Sequence, residues 1–144
     1  MKDDDRIIYG LSETQRTLMA HLKERLFAAG LRITAVQAGI LFLLIQKDGR
    51  SMTELSRLLF TDNSSLTRLV DRLEKAGLLR RLPDPRDRRT LIISITEDGR
   101  KQAAAARRIV RSLNEEIKTR MSPEELEVLQ RVLGRLKKEY SRNK

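Results

Sequence analysis

Two stretches of the sequence concentrate side chains that hydrogen-bond to anions. Residues 80–89 contain five arginines against two aspartates. Residues 63–72 carry short polar and arginine side chains, all lying off the apolar positions of the same stretch: Asn63, Ser64, Ser65, Thr67, Arg68 and Arg72. Amide, hydroxyl and guanidinium groups donate hydrogen bonds to phosphates and to the edges of bases. Together the two stretches predict a surface that binds a polyanion.

Catalytic chemistry is not expected from this sequence. It contains no cysteine and a single histidine, His21, and it has neither a phosphate-binding glycine loop nor metal-ligand spacing. The adjacent pairs Glu115–Glu116 and Glu124–Glu125 diverge on a helix, so neither pair can share one site. His21 is expected at the surface or at the edge of the core. We therefore predict no enzyme, no catalytic residue, no cofactor and no metal site.

Composition fits a nucleic-acid partner and a soluble protein. The 144 residues suffice for one domain, and the formal net charge is +10. Residues 1–50 contribute +2 of that charge and residues 51–144 contribute +8. Such an excess of basic residues favours a polyanion partner, although a net charge of this size also serves solubility. The acidic N-terminus lacks an apolar signal region, and the longest apolar run, Ile40–Ile45, is too short to span a bilayer. We predict a cytoplasmic protein without membrane contact.

Residues 51–96 read as two helices followed by two strands. Ser51 and Glu54 form a capping box that opens a short helix, and Phe60–Thr61 form the turn after it. The short helix is predicted to turn four residues inward: Met52, Leu55, Leu58 and Leu59. Asp62 is an N-cap for a helix from Asn63 to about Lys75, which Gly77 ends. This second helix is predicted to pack through Leu66, Leu69, Val70 and Leu73.

The strands are predicted at residues 78–82 and 91–95. The segment between them, Pro-Asp-Pro-Arg-Asp-Arg-Arg-Thr, contains residues that break helices and set turns. It therefore forms the arginine-rich tip of a hairpin.

Helices are predicted on both sides of this region. The first begins near Asp4 or Asp5, runs to about Ala29 and ends at Gly30, with one apolar stripe: Ile8, Leu11, Leu18, Leu22 and Leu26. A capping box at Thr34–Gln37 starts an apolar helix to Gln46, the expected core, and residues 47–50 form a turn.

The chain is predicted to finish with two helices. Thr96 caps a long helix to about Met121. Ser122 and Pro123 start a last helix with a heptad seam: Leu126, Leu129, Leu133, Leu136 and Tyr140. An exposed seam predicts pairing with a second chain.

Two helices joined by a tight turn fit the helix-turn-helix arrangement, in which the second helix enters the major groove of DNA. Ser64, Ser65, Thr67 and Arg68 then face the bases. A hairpin tip with Arg86, Arg88 and Arg89 suits the adjacent minor groove, where narrow A/T-rich DNA attracts arginine. Asp87 is unusual on such a surface, and we expect it to hold a neighbouring arginine in place.

These residues resemble the MarR family of winged helix-turn-helix transcriptional regulators. The resemblance covers nearly the whole chain and is strongest in SSLTRLVDRLEKAGLLRR, residues 64–81, and DPRDRRTLIISITEDGRK, residues 84–101. Asp87-Arg88-Arg89 and Ile95-Thr96 match the family's wing pattern. The match implies that Arg89 enters the minor groove and that Asp87 orients it. Phe60 departs from the family, since many members have a small residue in this turn.

The resemblance implies a mainly α fold, a winged helix-turn-helix domain with a short β-hairpin wing flanked by N- and C-terminal dimerisation helices. Residues 1–144 then form a single domain, with a DNA-binding lobe at about 34–99 and dimerisation regions at about 5–30 and 100–144. The expected protein is a ligand-responsive repressor that binds a palindromic operator in double-stranded DNA as a homodimer.

The resemblance also implies a small aromatic or anionic effector. The absence of cysteine argues against the branch of the family that senses peroxides by thiol oxidation, and the single histidine against the zinc-sensing branch. A non-specific architectural DNA-binding protein is the main alternative. A helical protein-interaction module is a further one, but it would leave the arginines of the wing unexplained.

Overall fold

The computed structural model describes residues 6–141, which form six α-helices and three β-strands. In chain order these are α1 (Ile7–Ala28), α2 (Ala35–Gln46), β1 (Arg50–Ser51), α3 (Met52–Leu59), α4 (Asn63–Lys75), β2 (Leu79–Pro83), β3 (Leu91–Ile95), α5 (Glu97–Thr119) and α6 (Pro123–Tyr140). The predicted fold class, mainly helical with a winged helix-turn-helix, is confirmed. Across residues 6–141, every helix is either too short or too polar to span a bilayer.

The chain divides into two compact units, residues 1–109 and residues 110–144, and the boundary falls within α5. The first unit contains α1 to α4, the sheet and the first part of α5. The second contains the end of α5 and α6. The finer division, with a lobe at about 34–99 and dimerisation regions at about 5–30 and 100–144, stays a prediction.

Helix α2 lies at the centre of the first unit, as its apolar sequence predicts. Ile40, Leu41 and Leu44 are completely buried, and α2 contacts α1, α3, α4 and β3. The predicted capping box starts the helix: the Gln37 N–H donates to the Thr34 hydroxyl at 3.1 Å, and the Thr34 N–H donates to the Gln37 side chain at 2.9 Å.

Only the end of the predicted stripe on α1 is buried in the single chain. Leu22 and Leu26 are buried, whereas three members of the stripe are exposed: Ile8, Leu11 and Leu18. The helix ends as predicted at Gly30, which adopts a φ of 77°. The expected capping residues Asp4 and Asp5 lie outside the described residues.

The segment before α3 differs from the prediction. Ser51 caps the helix by accepting from the Glu54 N–H at 3.1 Å. The reciprocal half of the capping box was wrong, because the Glu54 carboxylate pairs with Arg50 and lies 3.6 Å from Lys47 Nζ. Arg50 was also predicted to lie in a turn, yet it begins β1 and pairs with Ile93. The sheet is therefore three-stranded, where a hairpin alone was expected.

Arg50 can be buried because its donors find partners. Its Nε donates to the Leu43 carbonyl at 3.0 Å, and its guanidinium pairs with Glu54. A buried charge without such partners would be strongly unfavourable. Arg50 thereby fastens the end of α2 to the start of α3.

The inward face of α3 is narrower than predicted. Leu55 is completely buried, and Met52 and Leu59 are partly buried. The prediction for Leu58 was wrong, since 39% of its surface is exposed. In a helix of eight residues the positions 52, 55 and 59 form one stripe, and position 58 lies at its margin.

The three strands form an antiparallel sheet in the order β1–β3–β2. Strand β3 matches its prediction, whereas β2 begins at Leu79, one residue late. The Leu78 N–H is already used, because it donates to the Leu73 carbonyl at 2.9 Å in the turn that ends α4. Pro83 extends β2 because this strand is at the edge of the sheet, where a missing N–H is tolerated.

Helix α5 packs unusually closely on the turn after α4. Thr96 caps α5 as predicted, accepting from the Gly99 N–H at 3.0 Å, and its hydroxyl donates to the Gly77 carbonyl at 2.6 Å. A β-carbon at Gly99 would lie 2.0 Å from the Leu78 carbonyl oxygen and 2.8 Å from Ile95. Only glycine permits this approach.

Helix α6 begins as its sequence predicts, with a capping box between Ser122 and Glu125 and Pro123 in its first turn. The predicted seam is largely solvent-exposed. Leu129 and Leu133 are 38% and 44% exposed, and Tyr140 is 80% exposed.

The Gly99→Ala substitution is expected to lower the free energy of unfolding by about 1–3 kcal/mol, because the new methyl group collides with backbone that cannot rotate away. Thermal and urea denaturation measure this. Gly39→Ala is the matched control in α2, since its β-carbon would meet only Leu59 at 3.6 Å. It should be neutral or stabilising by up to about 1 kcal/mol. Equal stability of the two variants would contradict the proposed close contact.

Candidate nucleic-acid interface

Helix α4 presents one buried face and one free face. Leu66, Val70 and Leu73 are almost completely buried against the first unit, and Leu69 is partly buried. All six candidate residues on the other side are exposed: Asn63, Ser64, Ser65, Thr67, Arg68 and Arg72. We call these six residues the outer face of α4. The apolar spacing alone predicted which side this would be.

The turn before α4 closes without glycine. Phe60 adopts left-handed backbone angles, φ 52° and ψ 39°, and 81% of its surface is exposed. The Thr61 N–H donates to the Ser56 carbonyl at 3.1 Å, which closes the end of α3. The same pattern occurs with glycine at Gly30 and Gly77. Phe60 therefore occupies the left-handed position that glycine takes in the other two turns.

Asp62 fixes the start of α4 and orients one of the candidate residues. Its carboxylate accepts from the Ser65 N–H and from the Ser65 hydroxyl, both at 2.8 Å. These bonds, the backbone bond first, hold the pKa of Asp62 below its ordinary value. Because the Ser65 proton is donated to Asp62, its oxygen is left as an acceptor.

Thr67 is constrained in the same way. Its hydroxyl donates to the Asn63 carbonyl one turn earlier, at 2.7 Å. In this conformation Ser65 and Thr67 can accept from the amino groups of adenine or cytosine, but they cannot donate to guanine or thymine. The side chains of Arg68 and Arg72 make no hydrogen bond or ion pair within residues 6–141, so their guanidinium groups are available as donors.

The hairpin of β2, β3 and residues 84–90 forms the wing, and residues 84–90 form its tip. The Asp84 N–H donates to the Thr90 carbonyl at 2.9 Å, and the Thr90 N–H donates to the Asp87 carbonyl at 3.0 Å. Asp84 also accepts from the Arg86 N–H at 2.9 Å. These bonds close the tip and leave the side chains of Arg86 and Arg88 exposed.

Asp87 and Arg89 form a two-point pair at the tip. Arg89 Nε lies 3.0 Å from Asp87 Oδ1, and a terminal guanidinium nitrogen lies 3.3 Å from Oδ2. The Arg89 N–H adds a bond of 3.1 Å to the same carboxylate. The Arg89 side chain and then its backbone N–H hold the pKa of Asp87 below its ordinary value. Arg89 remains 91% exposed, so the pair orients the guanidinium without covering it.

Arg81 does not belong to the exposed arginines of the wing. Its guanidinium binds Asp71 at 2.5 Å and Glu74 at 2.6 Å, both on α4. Sequence reasoning counted it among the five arginines of residues 80–89 and missed this pairing. A usable signal was present, because Asp71 and Glu74 are three residues apart and therefore share one side of α4.

Comparison with known proteins identifies the family. The MarR family profile matches residues 33–91. The transcriptional regulator HosA of Escherichia coli O111:H- is 30% identical over 104 residues, which cover 72% of this chain and 77% of HosA. The chain belongs to the MarR family.

Other MarR-family proteins agree with this identification. The regulator PecS of Dickeya dadantii (strain 3937) is 37% identical over 97 residues, 65% of this chain. This match spans 57% of PecS, and a match to MarR of Salmonella typhimurium spans 62% of that protein. The crystal structure of an Escherichia coli MarR mutant complexed with operator DNA superimposes with a TM-score of 0.82 at 26% identity, covering 94% of this chain and 98% of that one. These relatives are named regulators rather than enzymes.

Proposed function

We propose that this protein is a sequence-specific transcriptional regulator that binds double-stranded DNA as a cytoplasmic homodimer and represses transcription from a palindromic operator. The outer face of α4 carries the proposal. Its polar and arginine side chains are exposed together, while the opposite side of the same helix is buried. The MarR structure with operator DNA supports the assignment by its likeness to this chain at 26% identity.

In this proposal α4 enters the major groove with its N-terminal end first. The N-terminal N–H groups and the helix dipole favour phosphate there. Ser64, Ser65, Thr67 and Arg68 face the bases, and Asn63 and Arg72 extend the same surface. Arginine is the side chain suited to two-point bonding with guanine, so we expect Arg68 to contribute most to sequence preference.

The wing tip reaches the adjacent minor groove. Arg89 is the residue we propose to enter it, oriented by Asp87, while Arg86 and Arg88 neutralise flanking phosphates. A narrow minor groove concentrates negative potential, which rewards an arginine already held in an extended pose. The two-point Asp87–Arg89 pair supports this arrangement, because it limits the conformations that the side chain must lose on binding.

Exposed apolar side chains support the homodimer. In α1, Ile7, Ile8 and Tyr9 are each at least 66% exposed. In α6, four neighbouring apolar residues are exposed by 38–46%: Val128, Leu129, Val132 and Leu133. Apolar residues grouped in this way are typical of surfaces that a partner covers. A two-fold dimer predicts two half-sites about one helical turn, roughly 10 base pairs, apart.

A small aromatic or anionic effector remains part of the proposal, and family membership is its support. An effector that prefers a dimer spacing unsuited to DNA would release the operator, because the two binding equilibria are coupled reciprocally.

The Arg89→Ala variant is expected to weaken operator binding by about 1–3 kcal/mol while its melting temperature stays unchanged, because Arg89 contacts no part of the core. The operator is first selected from a random duplex pool, and affinity is then measured by titration. Arg88→Ala serves as the control, since no carboxylate among residues 6–141 pairs with that side chain. It should lose less affinity. Unchanged binding by Arg89→Ala would refute the role of the wing.

Arg68→Ala is expected to reduce the discrimination between operator and random duplex, at about 1–3 kcal/mol for a lost base contact. Affinity for both duplexes should be measured at several salt concentrations. An equal loss on both, with a smaller salt dependence, would make Arg68 a phosphate contact. A wild-type protein that binds all duplexes equally would support the architectural alternative instead.

The homodimer is tested by sedimentation at micromolar concentration, where the wild type should have twice the mass of one chain. Leu133→Lys should weaken the dimer, because it places a charge on the exposed apolar face of α6. Glu127→Gln changes the net charge by the same amount at a polar position and should leave the dimer intact. A monomeric wild type would refute this part of the proposal.

A further inference from the structure

Arg81 joins the two elements proposed to contact DNA. It lies in β2, and its guanidinium binds Asp71 and Glu74 of α4 at 2.5 and 2.6 Å. Its backbone N–H also donates to Glu74 at 2.9 Å. Only 22% of the Arg81 side chain is exposed, so it is not presented to a ligand. Within residues 6–141, no other ion pair connects α4 with either strand of the wing.

The pairing also removes charge from a surface that must approach phosphate. Asp71 precedes Arg72 of the outer face, and half of its side chain is exposed. An uncompensated carboxylate at that position would repel the DNA backbone. The Arg81 guanidinium neutralises part of this charge from within the protein. The pKa of Glu74 is correspondingly lowered, first by the N–H of Arg81 and also by its guanidinium.

We propose that Arg81 is a positioning residue, which fixes the wing relative to α4 so that Arg89 and the outer face of α4 engage adjacent grooves simultaneously. This inference rests on the proposed DNA-binding function. If the wing is already fixed when α4 binds the major groove, the contact between the wing and the minor groove forms without a further loss of conformational freedom. Arg81 therefore raises operator affinity without touching the operator.

The Arg81→Lys variant separates this role from a direct contact. Lysine keeps the positive charge, but its single ammonium group cannot bridge two carboxylates as the planar guanidinium does. Arg80→Lys is the matched control, since Arg80 is the neighbouring exposed arginine and makes no ion pair within residues 6–141. Operator affinity is measured for both variants, alone and combined with Arg89→Ala.

If Arg81 positions the wing, the effects of Arg81→Lys and Arg89→Ala on operator affinity should depend on each other. The factor by which Arg89→Ala weakens binding should be smaller by about threefold or more in the Arg81→Lys background than in the wild type. Arg80→Lys should leave the Arg89→Ala factor at its wild-type value. A purely structural role would lower the melting temperature without changing this factor.

Independent, multiplicative effects of the two substitutions would overturn the inference. Asp71→Asn removes one arm of the bridge at a half-exposed position and provides the same test if Arg81→Lys does not fold. If Arg89→Ala has no effect in the wild type, the proposed wing contact fails and this inference fails with it. If the wild type binds the operator and Arg89→Ala weakens that binding, but the effects of the two substitutions are independent, this inference is refuted while the proposed DNA-binding function stands.

Discussion

Burial of one side of α4 is the constraint on which the candidate interface depends. Leu66, Val70 and Leu73 fill the core of the first unit, and a helix that buries these positions must turn the intervening ones to solvent. Asp62 then sets where the helix begins, and so which residues lie at its exposed N-terminal end. Hydrophobic burial therefore selects the outer face of α4, although no residue of that face contributes to the core.

The arginines of this basic chain perform three different tasks. Arg50 is buried and fastens α2 to α3 through Leu43 and Glu54. Arg81 is largely covered and links the wing to α4. Arg89 is exposed and only oriented, by Asp87. Each of these arginines adds one positive charge to the net charge. The charge available to a polyanion is nevertheless smaller, because some arginines already have carboxylate partners. The proposed interface is correspondingly smaller and more ordered than the composition suggests.

Close backbone contact gives the wing its base. Gly99 lets α5 approach the Leu78 carbonyl, and Thr96 ties the start of α5 to the turn after α4. The wing, the turn and α5 consequently meet at one junction, from which the tip projects. A closely packed base and a closed tip place Arg89 at a defined position, as the proposed binding to two grooves would require.

The sequence by itself determined the helices, the buried side of α4 and the residues of its outer face, because these follow from local periodicity and from hydrogen bonds between neighbouring residues. It also determined the caps at Thr34, Asp62, Thr96 and Ser122. The Asp87–Arg89 pair could also be predicted from the sequence, because the two residues are only two positions apart. Tertiary structure decided the ion-pair partners of charged residues whose partners are distant in sequence or could have been one of several groups. Glu54 could have capped α3, but burial of Arg50 required its carboxylate. Arg81 could have faced the ligand, but the fold brought it to Asp71 and Glu74. A charged side chain goes to the partner that best compensates its loss of water, and that choice depends on which groups the fold brings together.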